Sequence, residues 1–421
     1  MTKKTARHSW CDKHRRERMM RVGTPGFVPE RLVEARAARR IQSMKELARI
    51  LGVNPSSVSR WETGKQAPEA EALSELAKAL RVRREFFLRP VFDSSRPMFY
   101  RKLASTLKRD REYQKSQVNW LHEISDVLQH YVDYPELDIP DMLGGSSYKQ
   151  LRDEDIEDIA GDLRTHWQLG QGPCTNVVAV LEKIGCVVGS IEMGTSKLDG
   201  VCSWSKAEDR PHILLASDKM NLPRRQMDAA HELGHAVLHK GVSAGSLRDD
   251  LKEIERQAFR FASAFLMPQT TYVPEVPNFS LAGLLSLKER WRVSVKAQIK
   301  RLLDLEIIPP DHGTQLYKTY SAKGWSRQEP MDREWAVTKP RMLRDALYLI
   351  VDSGTRTKED LLSVEFTMHP GDIENIANLP SGWFTKNTGD VVPLTLKPAT
   401  PRGTEPPAGG SVISFFRREQ P

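Results

Sequence analysis

The feature that most constrains this 421-residue chain is the pentapeptide His231-Glu-Leu-Gly-His235, which lies inside the apolar run MDAAHELGHAVLH. Residues four apart on a helix project from one face, so the two imidazoles can bind one metal ion, usually zinc. Glu232 can take a proton from metal-bound water, whose pKa zinc lowers toward about 7. The pattern predicts a helix that carries a zinc site for amide hydrolysis.

A hydrolytic zinc site needs a third protein ligand and keeps one position open. His239 continues the same helical face, but successive i+4 positions drift by roughly 40°, which makes coordination by all three histidines awkward. A metzincin would have its third histidine where this chain has Gly241, so that class is excluded. Glu253 and Glu255 lie on the next predicted helix, and we favour Glu255 because its face must pack on the histidine helix. That face also holds Ala258, Phe259 and Ala262.

Each of these residues has a plainer interpretation as well. A short pattern arises by chance in many chains, and a helix with a buried histidine and a solvated glutamate would have the same sequence. His239 can orient a ligand through a hydrogen bond or can be an ordinary buried histidine. Cys202, on a predicted strand, can block the open position as a thiolate or can be an ordinary buried thiol.

The stretch around the pentapeptide resembles the ImmA/IrrE family of zinc-dependent endopeptidases, which is marked by HExxH followed by ExxA-x-x-FA and LMP. The second part corresponds here to ERQAFRFASAFLMP, from Glu255 to Pro268. Asp199-Gly200 and the strand through Leu214 also resemble the segment that precedes the metal-binding helix in the family. The resemblance covers residues 150–310.

This resemblance implies a zincin-like α+β domain in which His231, His235 and Glu255 bind Zn²⁺ and Glu232 is the catalytic base. Phe259 departs from the family, which often has asparagine at that position. We expect a packing change there that leaves the ligands untouched.

Short helical patterns also follow one another between residues 30 and 90. Gly52 permits a tight turn, and Asn54 can cap the helix that follows it. The first residues of such a helix enter the major groove of DNA and meet base edges, where Arg60 can pair with guanine. The candidate DNA-contacting residues are Ser56, Ser57, Ser59, Arg60 and Lys65. Apolar anchors are expected at Leu47, Ala48, Ile50, Leu51, Val58 and Trp61.

This segment resembles the XRE, or Cro/C1-type, DNA-binding domain in its L-A-x-x-L-G-V, S-x-W-E-x-G and F-F-L portions, between Leu47 and Leu88. Met44 departs from the family, which often has glutamine at this position, at the start of the helix before Gly52. A helical protein-binding module is the alternative interpretation.

The charge distribution favours nucleic acid as a partner of the N-terminal part. The net charge is +8, but residues 1–90 hold 21 Lys and Arg against 10 Asp and Glu, so the excess lies at this end. A localised basic block attracts a polyanion. Because the chain has no long apolar run, no secretory signal and few cysteines, we expect a cytoplasmic protein with reduced thiols and no membrane contact.

The order of helical and strand-like patterns along the chain predicts a multidomain fold. We expect an all-α helix-turn-helix domain, an α+β domain and a small mainly α C-terminal domain. Strands are expected at 186–191, 200–204 and 212–216, before helices near 222–240 and 252–266. A late helical pair at 341–362 can be a second helix-turn-helix, although packing between domains is the safer interpretation. The expected segments are a basic flexible arm (1–26), the XRE-type domain (27–90), a helical connector (91–147), the metallopeptidase domain (148–310), an accessory domain (311–396) and a disordered tail (397–421).

Together the two modules resemble fused XRE and ImmA/IrrE regulators of bacteria and their mobile elements. The resemblance implies a homodimeric regulator of a double-stranded DNA operator, whose peptidase domain cuts a repressor, either itself or a partner. In the alternatives, the zinc domain is a sensor that cuts nothing, or the protein is an antitoxin-like or phage-defence regulator bound to a partner protein.

Overall fold

A computed structural model describes residues 23–92, 97–100, 108–194, 199–218 and 221–385 of the chain. The first 22 residues of the predicted basic arm and the whole predicted tail at 397–421 lie outside these ranges. Within the described ranges, no helix is both long and apolar enough to cross a membrane.

The N-terminal part is a helical bundle. Its helices are α1 (Pro29–Ala38), α2 (Met44–Leu51), α3 (Pro55–Glu62) and α4 (Ala70–Leu80), followed by a 3-10 helix at Arg84–Leu88. Gly52, with φ of 67°, ends α2 in the left-handed conformation that glycine adopts without strain. The Asn54 side chain caps α3 by accepting the backbone N–H of Ser56. The chain therefore turns sharply between α2 and α3, as the helix-turn-helix prediction requires.

The expected core of this bundle is confirmed with one exception. Val58 and Trp61 are buried on α3, and Leu47 and Ala48 are buried on α2. The expectation for Ile50 is wrong, because its side chain is 47% exposed. It follows Leu47 and Ala48 on a helix of only two turns, and the buried face of that helix is too narrow to include it.

Among the described residues, four strands form one sheet, in the order β1-β3-β4-β2. They are β1 (Met98–Tyr100), β2 (Val187–Ile191), β3 (Gly200–Trp204) and β4 (Pro211–Ala216). Strands β2 and β4 are parallel, whereas β3 pairs antiparallel with both β1 and β4. The three predicted strands are confirmed to within one residue at their ends. The sequence did not predict β1, which is too short to carry an alternating pattern.

The sheet separates two hydrophobic cores, because successive side chains of a strand point to opposite faces. On one face, Val188, Cys202 and Ile213 join a core that includes the residues around the pentapeptide. On the other face, Val187 and Leu214 join a core that contains the N-terminal bundle. The sheet is therefore buried on both faces, which explains its nearly continuous apolar strands.

The other helices up to residue 322 follow in chain order, and the histidine helix is α8. They are α5 (Lys108–Gln129), α6 (Asp153–His166), α7 (Val177–Lys183), α8 (Leu222–Leu238), α9 (Ala244–Asp249), α10 (Leu251–Leu266), α11 (Gln269–Tyr272), α12 (Leu281–Trp291), α13 (Val295–Asp304) and α14 (Pro310–Ala322).

The C-terminal described segment packs against the N-terminal bundle. It contains α15 (Met342–Asp352), α16 (Lys358–Asp360), a π-helical turn at Leu361–Glu365 and α17 (Pro370–Ile376). Leu347 and Leu361 lie in the same core as the bundle, and Arg39, which directly follows α1, pairs with Asp372 through both carboxylate oxygens. This packing favours the interdomain role over a second helix-turn-helix for the late helical pair.

Candidate metal centre and nucleic-acid interface

Helix α8 presents two histidines on one buried face. Its start is fixed by Asn221, which accepts the backbone N–H of Arg224, and by Pro223 in the first turn. The Nε2 atoms of His231 and His235 lie 3.1 Å apart. His231 is 2% exposed and His235 is fully buried. The predicted spacing thus brings two imidazole nitrogens to one point.

Helix α10 supplies a carboxylate to the same point. A Cβ atom on Gly234 would lie 3.1 Å from the Ala258 carbonyl oxygen, so the glycine permits the two helices to approach closely. Glu255 lies one turn before Ala258, and its oxygens are 3.6 Å from His231 Nε2 and 3.2 Å from His235 Nε2. Glu253 instead forms an ion pair with Arg256 at 2.8 Å. Of the two candidate carboxylates, the structure brings Glu255 to the histidines.

The distances suit a tetrahedral ion. Bonds of about 2.0–2.1 Å place neighbouring ligand atoms of a tetrahedral zinc about 3.3 Å apart, and the three separations here are 3.1, 3.2 and 3.6 Å. Burial raises the pKa of Glu255, but the neighbouring imidazoles of His231 and His235 outweigh it and hold that pKa well below its usual value. The carboxylate is therefore ionised, as a metal ligand must be. These side chains fit a divalent zinc-type ion.

His239 belongs to a hydrogen-bonded relay behind His235. Its Nε2 lies 3.1 Å from the Gln257 side-chain oxygen, and Gln257 donates its amide N–H to the Tyr148 carbonyl. Burial, followed by the neighbouring His235, lowers the pKa of His239 to about 3, so its ring is neutral. Because Nε2 carries its proton, His239 Nδ1 accepts from His235 Nδ1, 3.1 Å away. This arrangement leaves the lone pair of His235 Nε2 directed at Glu255 and His231.

Glu232 lies against the first residue of β3. A Cβ atom on Gly200 would approach a Glu232 carboxylate oxygen to 2.5 Å, so only glycine leaves room for this carboxylate. The neighbouring Cys202 is buried with a free thiol. Burial, and then the charge of Glu232, raise the pKa of Cys202 well above its usual value.

Two aromatic rings cover the histidines. Phe99 of β1 stacks on His235 with ring centroids 4.8 Å apart, and Phe259 lies 4.2 Å from the His231 ring. Phe259 also borders a cleft of about 760 Å³ that is lined by Asp199, Met227 and Asp228 among others. The residue that departs from the family pattern thus lies between the histidine pair and this cleft.

The predicted DNA-contacting residues lie on one accessible segment. Ser56, Arg60 and Lys65 are exposed, and Ser57 and Ser59 are half-buried. The Arg60 guanidinium lies 3.4 Å from the Ser57 hydroxyl. A bidentate ion pair from Arg36 of α1 to Glu62 fixes the end of α3. Helix α3 therefore presents a polar face on a rigid support.

Several arginines of the N-terminal bundle bind other parts of the chain. Arg31 forms an ion pair with Glu123 of α5, and Arg39 binds Asp372. Arg83 and Arg89 donate to backbone carbonyls at residues 362–366. Part of the basic charge that suggested a polyanion partner thus holds the bundle against the connector helix and the C-terminal segment.

The sequence did not predict that Gln257 and Phe99 contact the histidines of the candidate metal centre. Gln257 lies on α10 after both candidate carboxylates, and its position two residues after Glu255 was the available signal. Phe99 lies in the short strand β1, more than 130 positions before His235, and no local pattern marks it.

Two family models match the chain. The model of the IrrE N-terminal-like domain matches residues 181–303, which include α8, α10 and all the proposed ligands. A helix-turn-helix model matches residues 33–87, from α1 through the 3-10 helix. No curated protein matches the sequence. Both predicted resemblances are confirmed.

Proposed function

Since this chain joins a helix-turn-helix DNA-binding domain to an IrrE/ImmA-like domain, we propose that it is a transcriptional regulator with a zinc-dependent endopeptidase activity. It binds a double-stranded DNA operator as a homodimer through Ser56, Ser57, Ser59, Arg60 and Lys65. The observation that carries the peptidase proposal is the convergence of His231, His235 and Glu255 beside Glu232.

The four residues have distinct roles. His231, His235 and Glu255 hold the ion, and zinc supplies Lewis acidity to such a site. Glu232 accepts a proton from the attacking water and returns it to the leaving amine. His239 and Gln257 keep the tautomer of His235 that offers Nε2 to the metal.

The substrate is a helix-turn-helix repressor, either this chain or a partner of the same kind. The stacking of Phe99 on His235 supports cleavage in cis, because it brings the segment just after the DNA-binding bundle beside the histidines. Cleavage on the C-terminal side of the bundle would separate it from the rest of the chain.

The peptidase is tested by incubating the full chain with zinc and following its mass. Glu232→Gln should abolish cleavage and leave the zinc content unchanged. Glu289→Gln, on an exposed position of α12, is the matched control and should cleave normally. Fragments that persist in Glu232→Gln and after chelation would show that another agent cuts the chain.

A second candidate function is a zinc domain that senses a ligand or partner without cutting. The observation that favours it is burial, since His231 and Glu232 are each 2% exposed and two rings cover the histidines. In this case the wild-type chain yields no fragments. Operator binding by Glu232→Gln would then respond to the signal as that of the wild type does.

A further inference from the structure

A second group of metal-ligating side chains lies on the opposite side of β4 from the proposed peptidase site. His122 of α5, Glu208 of the β3–β4 turn and His212 of β4 place their ligand atoms within 4.8 Å of one another. His122 is 1% exposed and His212 is fully buried. These residues come from three separate elements, so the fold assembles the cluster.

The hydrogen bonding of His212 leaves a lone pair facing a carboxylate. Its Nδ1 lies 3.3 Å from the Arg210 carbonyl oxygen, which only accepts, so the tautomer that fits this contact carries its proton on Nδ1. Its Nε2 is then an acceptor and lies 3.4 Å from Glu208 Oε1. Within the described part of the chain, neither buried atom has a hydrogen-bond partner. Two acceptors that face each other need a cation between them.

His122 supplies a second imidazole beside His212. Its ring packs on His212 with centroids 4.0 Å apart and on Phe92 at 5.1 Å. The buried Nδ1 of His122 lacks a hydrogen-bond partner among the described residues. Two adjacent imidazoles and one carboxylate are a donor set for a metal ion.

The carboxylate of Glu208 is held in place from one side. Its Oε2 accepts the Ser125 hydroxyl at 3.1 Å and the Gln129 amide at 2.5 Å. These bonds turn Oε1 toward His212, and such outer hydrogen bonds orient ligands in metal sites. Both donors lie on α5, the helix that carries His122. An ion at this point would therefore join α5 to the sheet at two positions.

A cavity borders residues that adjoin the cluster. Phe92, which stacks on His122, and Ala207, which precedes Glu208, line a cavity of about 440 Å³. The same cavity is lined by Arg31 and Glu123, the ion pair that links α1 to α5. The cluster thus lies next to a cavity at the junction between the DNA-binding bundle and the connector helix.

We propose that His122, Glu208 and His212 form a second site for a first-row divalent ion of the zinc class, which fastens the connector helix to the sheet. The proposal is independent of peptidase activity, because it uses none of the residues on α8 or α10. An imidazole-rich donor set favours zinc, nickel or cobalt over magnesium or calcium.

The test counts metal ions per chain in the full-length protein. Chelated protein is dialysed against zinc alone and its zinc content is measured for the wild type, His122→Gln, Glu208→Gln and His231→Gln/His235→Gln. We expect each His122 or Glu208 variant to lose one equivalent relative to the wild type, while the double variant retains one. Glu289→Gln is the matched control and should lose none.

A cobalt titration of the His231→Gln/His235→Gln protein separates loss of binding from loss of folding. It should give visible absorption bands at one equivalent, and adding His122→Gln should remove these bands with the circular dichroism spectrum unchanged. A folded double variant that binds neither zinc nor cobalt would overturn the proposal. So would a zinc content that neither His122→Gln nor Glu208→Gln alters.

Discussion

The rings of Phe99 and His235 are stacked, with centroids 4.8 Å apart and an angle of 13° between their planes. This pair joins β1, which follows the DNA-binding bundle, to the helix of the proposed zinc site. Phe99 is also paired with Cys202 across the β1–β3 ladder, so the ring is held by backbone as well as by packing. Access to His235 and the position of β1 are therefore linked.

Replacement of Phe99 by alanine should expose the proposed metal site. Loss of a buried phenyl ring typically costs about 3–5 kcal/mol of unfolding free energy, and here it also removes a cover from His235. We expect zinc to transfer to a chromophoric chelator at least tenfold faster than in the wild type. Phe265→Ala is the matched control, since Phe265 is fully buried and packs on Trp167. Equal transfer rates in the two variants would contradict the covering role of Phe99.

The relay from His235 through His239 to Gln257 predicts a graded effect on zinc affinity. Gln257→Met removes the acceptor for His239 Nε2–H and should weaken zinc binding about 10–100-fold. Gln257→Glu keeps an acceptor oxygen and should restore most of the affinity.

The measurement is competition with a chelator in a His122→Gln background, so that only the α8–α10 donor set titrates. A weakening that is equal in the two Gln257 variants would show that the residue acts by packing alone.

The candidate site could be predicted from the sequence only where its parts are local. Helical periodicity places His231 and His235 on one face, and the same reasoning favours Glu255 over Glu253. The stacking of Phe99 and the bond from His239 to Gln257 depend on how separate elements pack. Such contacts leave no periodic pattern in either segment.

The charge pattern of the sequence also predicts the partner of the N-terminal part only incompletely. A count of basic residues predicts a polyanion partner for the N-terminal part, but it does not distinguish an arginine that meets DNA from one that meets a distant part of the chain. Arg39 and Asp372 are 333 positions apart and form a bidentate pair. Arg60 and Lys65, which are exposed, are the residues to which the DNA prediction now applies.

Arg60→Ala should weaken operator binding by about 1–3 kcal/mol if the guanidinium reads a guanine, and it should relax specificity at one base pair. Lys65→Ala should weaken binding to all sequences alike and make it less salt-dependent. Fluorescence anisotropy with operator and scrambled duplexes at several salt concentrations measures both. Lys318→Ala, at an exposed position of α14, is the control and should bind as the wild type does.

The buried carboxylate of Glu34 predicts a pH-dependent contact between α1 and α5. Burial raises its pKa to about 8, although Arg31, 3.2 Å away, opposes that rise, and Glu123 of α5 competes for the same guanidinium. Asn119 of α5 also faces the group. The folded chain therefore binds a proton that the unfolded chain releases above its ordinary pKa.

Because the folded state holds the extra proton, the free energy of unfolding should fall as the pH rises from about 4.5 to 8, by up to about 1.4 kcal/mol per pH unit. Glu34→Gln replaces the protonated carboxyl by a neutral amide and should remove this slope, with a relative gain in stability at pH 8. Urea unfolding at pH 5, 6.5 and 8 measures the slope, with Glu30→Gln, on the exposed side of α1, as the control. A slope that survives in Glu34→Gln would assign the proton to Glu123 or to another group at this contact.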